Sequence, residues 1–163
     1  MHYLVRTILG LGLVAGFCAV ASAQSAPPDP THIPFTLPKD IPWVPNANGA
    51  TAMLYGDPSK PGPYAILMRW DPGHFSKPHF HSTDRHALVI SGTWWVASGN
   101  VQDINKLYPV PAGSIATDLA NTVHYDVNKA GNPPVIFELS GIGPVTTTQV
   151  DENGKPKPAR SAQ

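Results

Sequence analysis

Between residues 50 and 150 the chain is a succession of short runs rich in β-branched and aromatic residues. Gly, Pro, Asn or Asp cuts off each run before a helical period can develop. The runs are 50–55, 64–70, 86–91, 93–97, 114–117, 122–127, 135–139 and 146–150. Between them, segments such as Ser98-Gly99-Asn100 and Lys129-Ala130-Gly131-Asn132 carry the residues that turns require. Many short strands at this spacing, with no long helix to cover a parallel sheet, predict an all-β sandwich or barrel. A length of 163 residues suits one domain with a sizeable core.

The two ends read differently. Residues 1–23 have Arg6 in a short leading region, an apolar run over 8–20, and Ala21-Ser22-Ala23 as a small-residue cleavage site. That is the pattern of a secretory signal peptide, with an apolar run too short for a comfortable membrane span. A periplasmic or secreted protein is expected, free of the membrane once the peptide is cleaved. The single cysteine, Cys18, lies inside that peptide, so the exported chain has no disulfide and depends on its packed core. Phe17 before it is too large for a lipoprotein cleavage site. Removing Arg6 leaves ten basic against eleven acidic side chains, a formal charge of −1, which recruits neither nucleic acid nor an anionic bilayer.

Residues 24–49 are expected to form a proline-rich arm, because prolines recurring through 27–45 forbid a continuous helix or a central strand and favour extended polyproline. The arm is either a plain linker or a segment whose Ile41, Trp43 and Val44 pack on the barrel or on a second subunit. The barrel is expected over residues 50–150. The polar end, 151–163, with Lys155-Pro156-Lys157-Pro158 and no apolar period, reads as a disordered tail.

The chemistry concentrates in Gly73-His74-Phe75-Ser76-Lys77-Pro78-His79-Phe80-His81. Alternate side chains of a strand leave by the same face, so His79 and His81 can point at one ion, whereas a helix would splay them apart. A third nitrogen must come from another strand, and His124 in the run 122–127 is the best candidate. Three neutral imidazoles in a partly desolvated pocket suit a borderline divalent metal. The competing reading is a polar core in which the imidazoles bond to one another or to Asp84 and Asp126.

Three protein ligands leave a coordination place open, as catalytic sites do. Asp84 and Asp126 are candidates to orient an imidazole N–H without ligating. His32 in the arm is expected in solvent, and His74 in a turn, at the surface or beside a ligand. Trp94 and Trp95 are adjacent on a strand and must face opposite sides, one into the core and the other to the rim or an interface. By the same rule Tyr125 points away from the metal. Arg69 beside Asp71 reads as a structural or rim ion pair.

The arrangement of Gly73, five residues, His79, one residue, His81, three residues, position 85, six residues and Gly92 resembles the first motif of the cupins. Pro111-Ala112-Gly113 followed by His124 resembles the second, with a longer gap between glycine and histidine. The resemblance covers roughly residues 50–150. It implies a single-domain cupin-like double-stranded β-helix, the jelly-roll barrel, with a metal inside its mouth. It speaks to fold more than to reaction, because the family hosts many chemistries. Where cupins usually carry a fourth, carboxylate ligand this chain has Arg85, whose guanidinium stays protonated and offers no lone pair. His86 cannot replace that ligand unless the strand bulges. Some cupin dioxygenases resemble this site in using three histidines.

The protein expected from these features is an exported cupin, a homodimer, in which His79, His81 and His124 bind one divalent transition metal ion. Copper and zinc lead outside the cytosol, with iron behind them. The activity expected is that of a metal-dependent oxidoreductase, dioxygenase-like or copper-dependent, on a small-molecule or oligosaccharide substrate. Arg85 is the candidate catalytic residue. Turned inward, it would hold an anionic group in a bidentate fork; paired with Asp84, Asp126 or Glu138, it would only shape the barrel. An inward arginine beside a divalent ion needs an anion between them, from a substrate or a compensating aspartate. Two other classes stay open: a non-catalytic metal or small-ligand binding protein, and a metal-assisted isomerase or lyase. The latter needs Asp126 or His86 to face the pocket as a general base.

Overall fold

The structure, a computed structural model, describes residues 34–158. The expected signal peptide, Cys18 and His32 lie outside the described residues, as do residues 159–163. Among the described residues there are eleven strands: β1 (Val44–Asn46), β2 (Gly49–Tyr55), β3 (Gly62–Trp70), β4 (His79–His81), β5 (Arg85–Ser91), β6 (Thr93–Ser98), β7 (Tyr108–Pro111), β8 (Ile115–Asp118), β9 (His124–Val127), β10 (Val135–Gly143) and β11 (Thr147–Gln149). All pairings are antiparallel. They build a six-stranded sheet in the order β1-β2-β3-β10-β5-β8 and a five-stranded sheet in the order β11-β4-β9-β6-β7. This is the all-β jelly-roll barrel expected from the sequence.

Strand alternation decides what goes inside. On β10, Val135, Phe137 and Leu139 are buried, while Ile136, Glu138 and Ser140 between them are partly exposed. On β5, Ala87 and Val89 are buried and Leu88 and Ile90 exposed. The two sheets meet at Trp94 of β6, which lies on Phe137 of β10 with ring centres 5.0 Å apart and planes 11° apart, and within the six-stranded sheet Trp70 of β3 meets Phe137 edge-on at 5.0 Å. Aromatic pairs of this kind contribute about 0.5–1.5 kcal/mol beyond the area they bury. The turn from β5 to β6 passes through Gly92 at φ +76°, where a Cβ would come within 2.9 Å of the Pro134 carbonyl oxygen. Glycine alone meets both demands.

Strand β9 is buried on both faces. His124 and Asp126 share one face; Tyr125 and Val127 share the other and pack with Leu107, with Trp95 against them. The Tyr125 hydroxyl accepts from the Asp103 N–H and donates to the Asp103 carbonyl, both at 2.9 Å. As the sequence predicts, Tyr125 turns away from His124.

Three local outcomes differ from expectation or extend it. The end of the proline-rich segment adds an edge strand, β1, in which Val44 pairs with Thr51 and Pro45 with Ala50. Strand β7, which carries Pro109 and Pro111, closes the edge of the other sheet. Both prolines-bearing strands are edges, where a missing N–H costs no ladder bond. The segment after Val150, expected as a disordered tail, folds back over Asp151–Lys157. The Asp151 carboxylate accepts from the N–H groups of Asn153 and Lys155, and the Lys157 N–H donates to the Gln149 carbonyl. A turn held by side-chain and backbone hydrogen bonds needs no apolar period, which is why the sequence pattern did not show it.

Candidate metal centre

The three histidines come together through strand register. His79 of β4 sits directly opposite His124 of β9, and His81 lies two residues along the same face of β4. One ring nitrogen from each lies within 4.8 Å of the others, and all three residues are buried. Ring centres are 4.4 Å apart for His79 and His124, 4.8 Å for His79 and His81, and 5.3 Å for His81 and His124. The three are positioned to bind a single transition metal ion.

Their outer nitrogens are tied down. The His79 Nδ1–H donates to the Lys77 carbonyl at 2.7 Å, and the His124 Nδ1–H to the Thr122 carbonyl at 3.0 Å. A carbonyl only accepts, so each Nδ1 carries the proton and each Nε2 of the neutral ring is left as a lone pair. His81 Nδ1 bonds the Thr147 hydroxyl of β11 at 3.0 Å. The Nε2 atoms of His81 and His124 are buried with no hydrogen-bond partner among the described residues. Burial pushes the His79 imidazole down to about 4. It pushes His81, which also feels the Arg85 cation, down to about 2. These two rings are thus neutral at pH 7, the form that binds metal. The expectation that Asp84 or Asp126 would orient an imidazole N–H is corrected: backbone carbonyls and Thr147 do that work. Asp84 instead accepts from the Ala120 N–H.

Arg85 faces inward on the same side of β5 as Ala87 and Val89, and borders the same cavity as His79 and His81. Its Nη2 donates to Asp118 Oδ2 at 2.6 Å, with both side chains mostly buried, at 14% and 10% exposed. The two are directly opposite in the β5–β8 register. The partner is none of the three acids the sequence suggested. Asp118 is the residue that sequence reasoning missed, because only the register of two strands far apart in the chain places it there. It is the compensating aspartate that an inward arginine requires. Asp118 Oδ2 lies 3.9 Å from His124 Nε2, and Asp126 Oδ1 lies 3.8 Å from the same atom.

His86 stays on the outer face, bonded to the Thr117 hydroxyl at 3.3 Å. The register shift in the β5–β10 pairing falls near Ile136, at the far end of β5, so no bulge turns His86 inward. His74 lies edge-on to Trp70 at 4.2 Å and borders the cavity rather than the surface. Trp94 is core; Trp95 is half-buried, with the Lys129 ammonium 3.4 Å above its ring. Arg69 pairs with Asp71 at 3.5 Å near the surface.

The cavity in front of His79, His81, Arg85 and Asp126 has a volume of about 470 Å³, with Trp70, Phe75, Phe137 and Leu139 as apolar walls and Gln149 among its polar ones. A second cavity of about 440 Å³ is bordered by His124 and Asp118, and Trp94 borders both.

Among curated protein sequences, none matches this chain. Solved structures with the same fold are numerous and distant in sequence. A protein of cupin-like fold from Ralstonia eutropha is 18% identical, with a TM-score of 0.54 over 68% of this chain; the chain spans 63% of that protein's length. A polyketide cyclase from Streptomyces resistomycificus is 16% identical, with a TM-score of 0.56 over 74% of this chain and 88% of its own. An acetylacetone dioxygenase from Acinetobacter johnsonii is 16% identical, with a TM-score of 0.51 over 70% of this chain and 75% of its own. Residues 35–118, just over half of the chain and including His79, His81 and Arg85, match the family described as the ChrR cupin-like domain. Barrel, motif spacing and family match agree, and the chain belongs to the cupins, in the ChrR cupin-like domain family.

Proposed function

We propose that this cupin is a metal-dependent oxidoreductase, dioxygenase-like in its chemistry, acting on a small organic anion held in the cavity beside the three histidines. The observation that carries the reading is three buried imidazoles brought together, of which His79 and His124 give their Nδ1 protons to backbone carbonyls, His81 and His124 leave Nε2 without a partner among the described residues, and His79 and His81 border the cavity. His79, His81 and His124 would hold a divalent ion there, which would supply Lewis acidity toward an oxygen ligand. Arg85 borders the cavity while Asp118 holds the guanidinium in place, and its role in this reading is to orient a carboxylate or enolate. Trp70, Phe137 and Leu139 exclude water around it. One structural neighbour is a dioxygenase, which is consistent with this use of the fold.

A small substrate is preferred over an oligosaccharide because the aromatic pair that would stack on a sugar is engaged in packing. Trp94 lies in the core, and Trp95 is capped by Lys129. The proposal extends to an exported homodimer. Its support is the signal-peptide pattern together with the exposed Leu88, Ile90 and Ile115 on the outer side of the six-stranded sheet. A redox-neutral isomerase or lyase is the second reading, favoured by Asp126 at the cavity, where burial pushes its carboxyl up to about 6.

The test is dioxygen uptake by the chain loaded in turn with copper, iron and zinc, against small 1,3-dicarbonyl and oxo-acid substrates. The reading expects substrate-dependent uptake that chelation and His79→Ala abolish, with Arg85→Met raising KM more than it lowers kcat. Tight retention of a small ligand, with no dioxygen uptake on any metal, would leave a binding protein instead.

A further inference from the structure

The position at which a cupin usually offers a carboxylate to its metal is an arginine in this chain, yet the barrel does not lack a carboxylate at the centre. Asp126 follows His124 by two residues on β9, so both side chains leave by the same face, as His79 and His81 do on β4. Asp126 is 4% exposed and borders the cavity shared by His79, His81 and Arg85. Its backbone N–H donates to the Ser76 hydroxyl and its carbonyl accepts from the Ser76 N–H, which fixes the strand at this point.

The polar atoms here do not satisfy one another. Asp126 Oδ1 is buried with no hydrogen-bond partner among the described residues, and so is His124 Nε2, 3.8 Å away. That separation is too long for a hydrogen bond. The Nδ1–H of His124 is already given to the Thr122 carbonyl, so in the neutral ring Nε2 is a lone pair facing another lone pair. Buried polar atoms without partners elsewhere among the described residues are of both kinds, the indole nitrogens of Trp70 and Trp94 being donors and Asn128 Oδ1 an acceptor, and Arg85 Nε–H is such a donor beside the centre. Between His81, His124 and Asp126, however, the unpartnered atoms are Nε2, Nε2 and Oδ1, and with the rings neutral these are acceptors, whose convergence fits a cation.

Charge points the same way. A divalent ion with Arg85, Asp118 and Asp126 leaves a formal charge of +1, the same as a divalent ion with a single glutamate. Asp118 is spent on the guanidinium at 2.6 Å, which leaves Asp126 as the other carboxylate beside His124 Nε2, at 3.8 Å.

We infer that Asp126 is a direct carboxylate ligand of the metal, which makes the centre a three-histidine, one-carboxylate site whose acid comes from β9 in place of the motif position held by Arg85. The inference rests on the metal-binding part of the function proposed above and adds a residue to it. A hard oxygen beside three imidazoles favours iron, zinc or copper(II) over copper(I). A carboxylate bound to the metal is also not free to act as a general base, so the assignment weighs against the isomerase or lyase reading.

The probe is Co²⁺, whose visible absorption reports its ligands, added to the purified full chain and to Asp126→Asn, Asp126→Ala and Asp118→Asn variants. The inference expects Asp126→Asn to weaken Co²⁺ binding at least tenfold and to shift the absorption bands. It expects formate to restore a wild-type-like spectrum in Asp126→Ala, and Asp118→Asn to leave the bands in place. An Asp126→Asn spectrum that superimposes on wild type, with affinity within twofold, overturns the assignment while leaving the three-histidine reading intact. Failure of the wild-type chain to bind Co²⁺ at all overturns both. Should the Asp126 variants not fold, a crystal structure of the zinc-loaded wild-type chain decides: an Oδ1 to zinc distance of about 2.0–2.2 Å supports the assignment, and one beyond about 3 Å overturns it.

Discussion

The two faces of β9 are buried to the same degree and are built on opposite terms. On the outer face, Tyr125 is 0% exposed, its hydroxyl both donates and accepts, and Val127 and Leu107 fill the space around it. On the inner face, His124 and Asp126 are nearly as deep, at 9% and 4% exposed, but His124 Nε2 and Asp126 Oδ1 have no hydrogen-bond partner among the described residues. Residues one apart in sequence thus belong to a filled core and to a site whose histidines are positioned to bind a metal ion. A buried polar atom without a partner costs about 1–3 kcal/mol. The inner face is therefore where this barrel gives up stability for function.

The comparison breaks most severely if the metal has nowhere to bind. At a metal concentration a thousandfold above Kd, binding to the native state is worth about 4 kcal/mol. The His79→Ala, His81→Ala variant is expected to lose all of that gain, read as the disappearance of a metal-dependent rise in Tm. On the other face, Tyr125→Ala is expected to cost about 3–5 kcal/mol in urea unfolding whether or not metal is present, because it empties a packed cluster. Metal sensitivity of that loss would mean that the two faces are not independent.

Removing one partner of the Arg85–Asp118 pair should cost less, because the pair retains some contact with solvent at 14% and 10% exposure. Asp118→Asn is expected to lower stability by about 2–3 kcal/mol by leaving the guanidinium uncompensated. The Arg85→Met, Asp118→Asn double variant should recover most of this, and a double-mutant cycle measures the difference.

The last effect has the opposite sign. Asp126→Asn should stabilise the metal-free protein at pH 7, by up to about 3 kcal/mol, because it removes a buried carboxylate that burial has moved from 3.8 to about 6. The pH dependence follows from the same groups. His79 and His81 fall from 6.5 to about 4 and about 2 on folding, so between pH 6.5 and 4 the unfolded chain takes up more protons at these sites and stability falls as pH falls. Asp126 works against that slope: its raised value lets the folded chain bind the extra proton between pH 6 and 3.8. Metal-free wild type should thus lose stability on acidification from pH 6.5 to 4, and Asp126→Asn should lose it more steeply. Urea titrations at pH 7, 6 and 5 check both slopes.

How much of this was legible beforehand depended on whether the information was local. His79 and His81 announce a shared face by spacing alone, and the runs that became β2, β3, β5, β6 and β8 to β11 were visible as short stretches rich in β-branched and aromatic residues between turn residues. The edge strands β1 and β7 were hidden by Pro45, Pro109 and Pro111, residues that argue against a central strand and are harmless at an edge. The Arg85–Asp118 pair was hidden for a different reason. It exists because β5 and β8 pair in one register, and a slip of one residue would turn Asp118 to the outside. Asp126 sat in plain view two residues from His124. Its place among the histidines became evident only with the burial and the bare oxygen that the folded chain shows.

The central claim is that the barrel is built around an ion held by His79, His81 and His124. It is tested most directly by the metal content of the chain purified without affinity tags or chelators, measured by mass spectrometry beside the His79→Ala, His81→Ala variant. The account predicts about one transition metal ion per chain in the wild type and none in the variant. Wild-type protein that carries no metal, and takes up none when copper, zinc and iron are supplied, would contradict it and make the histidines a polar core.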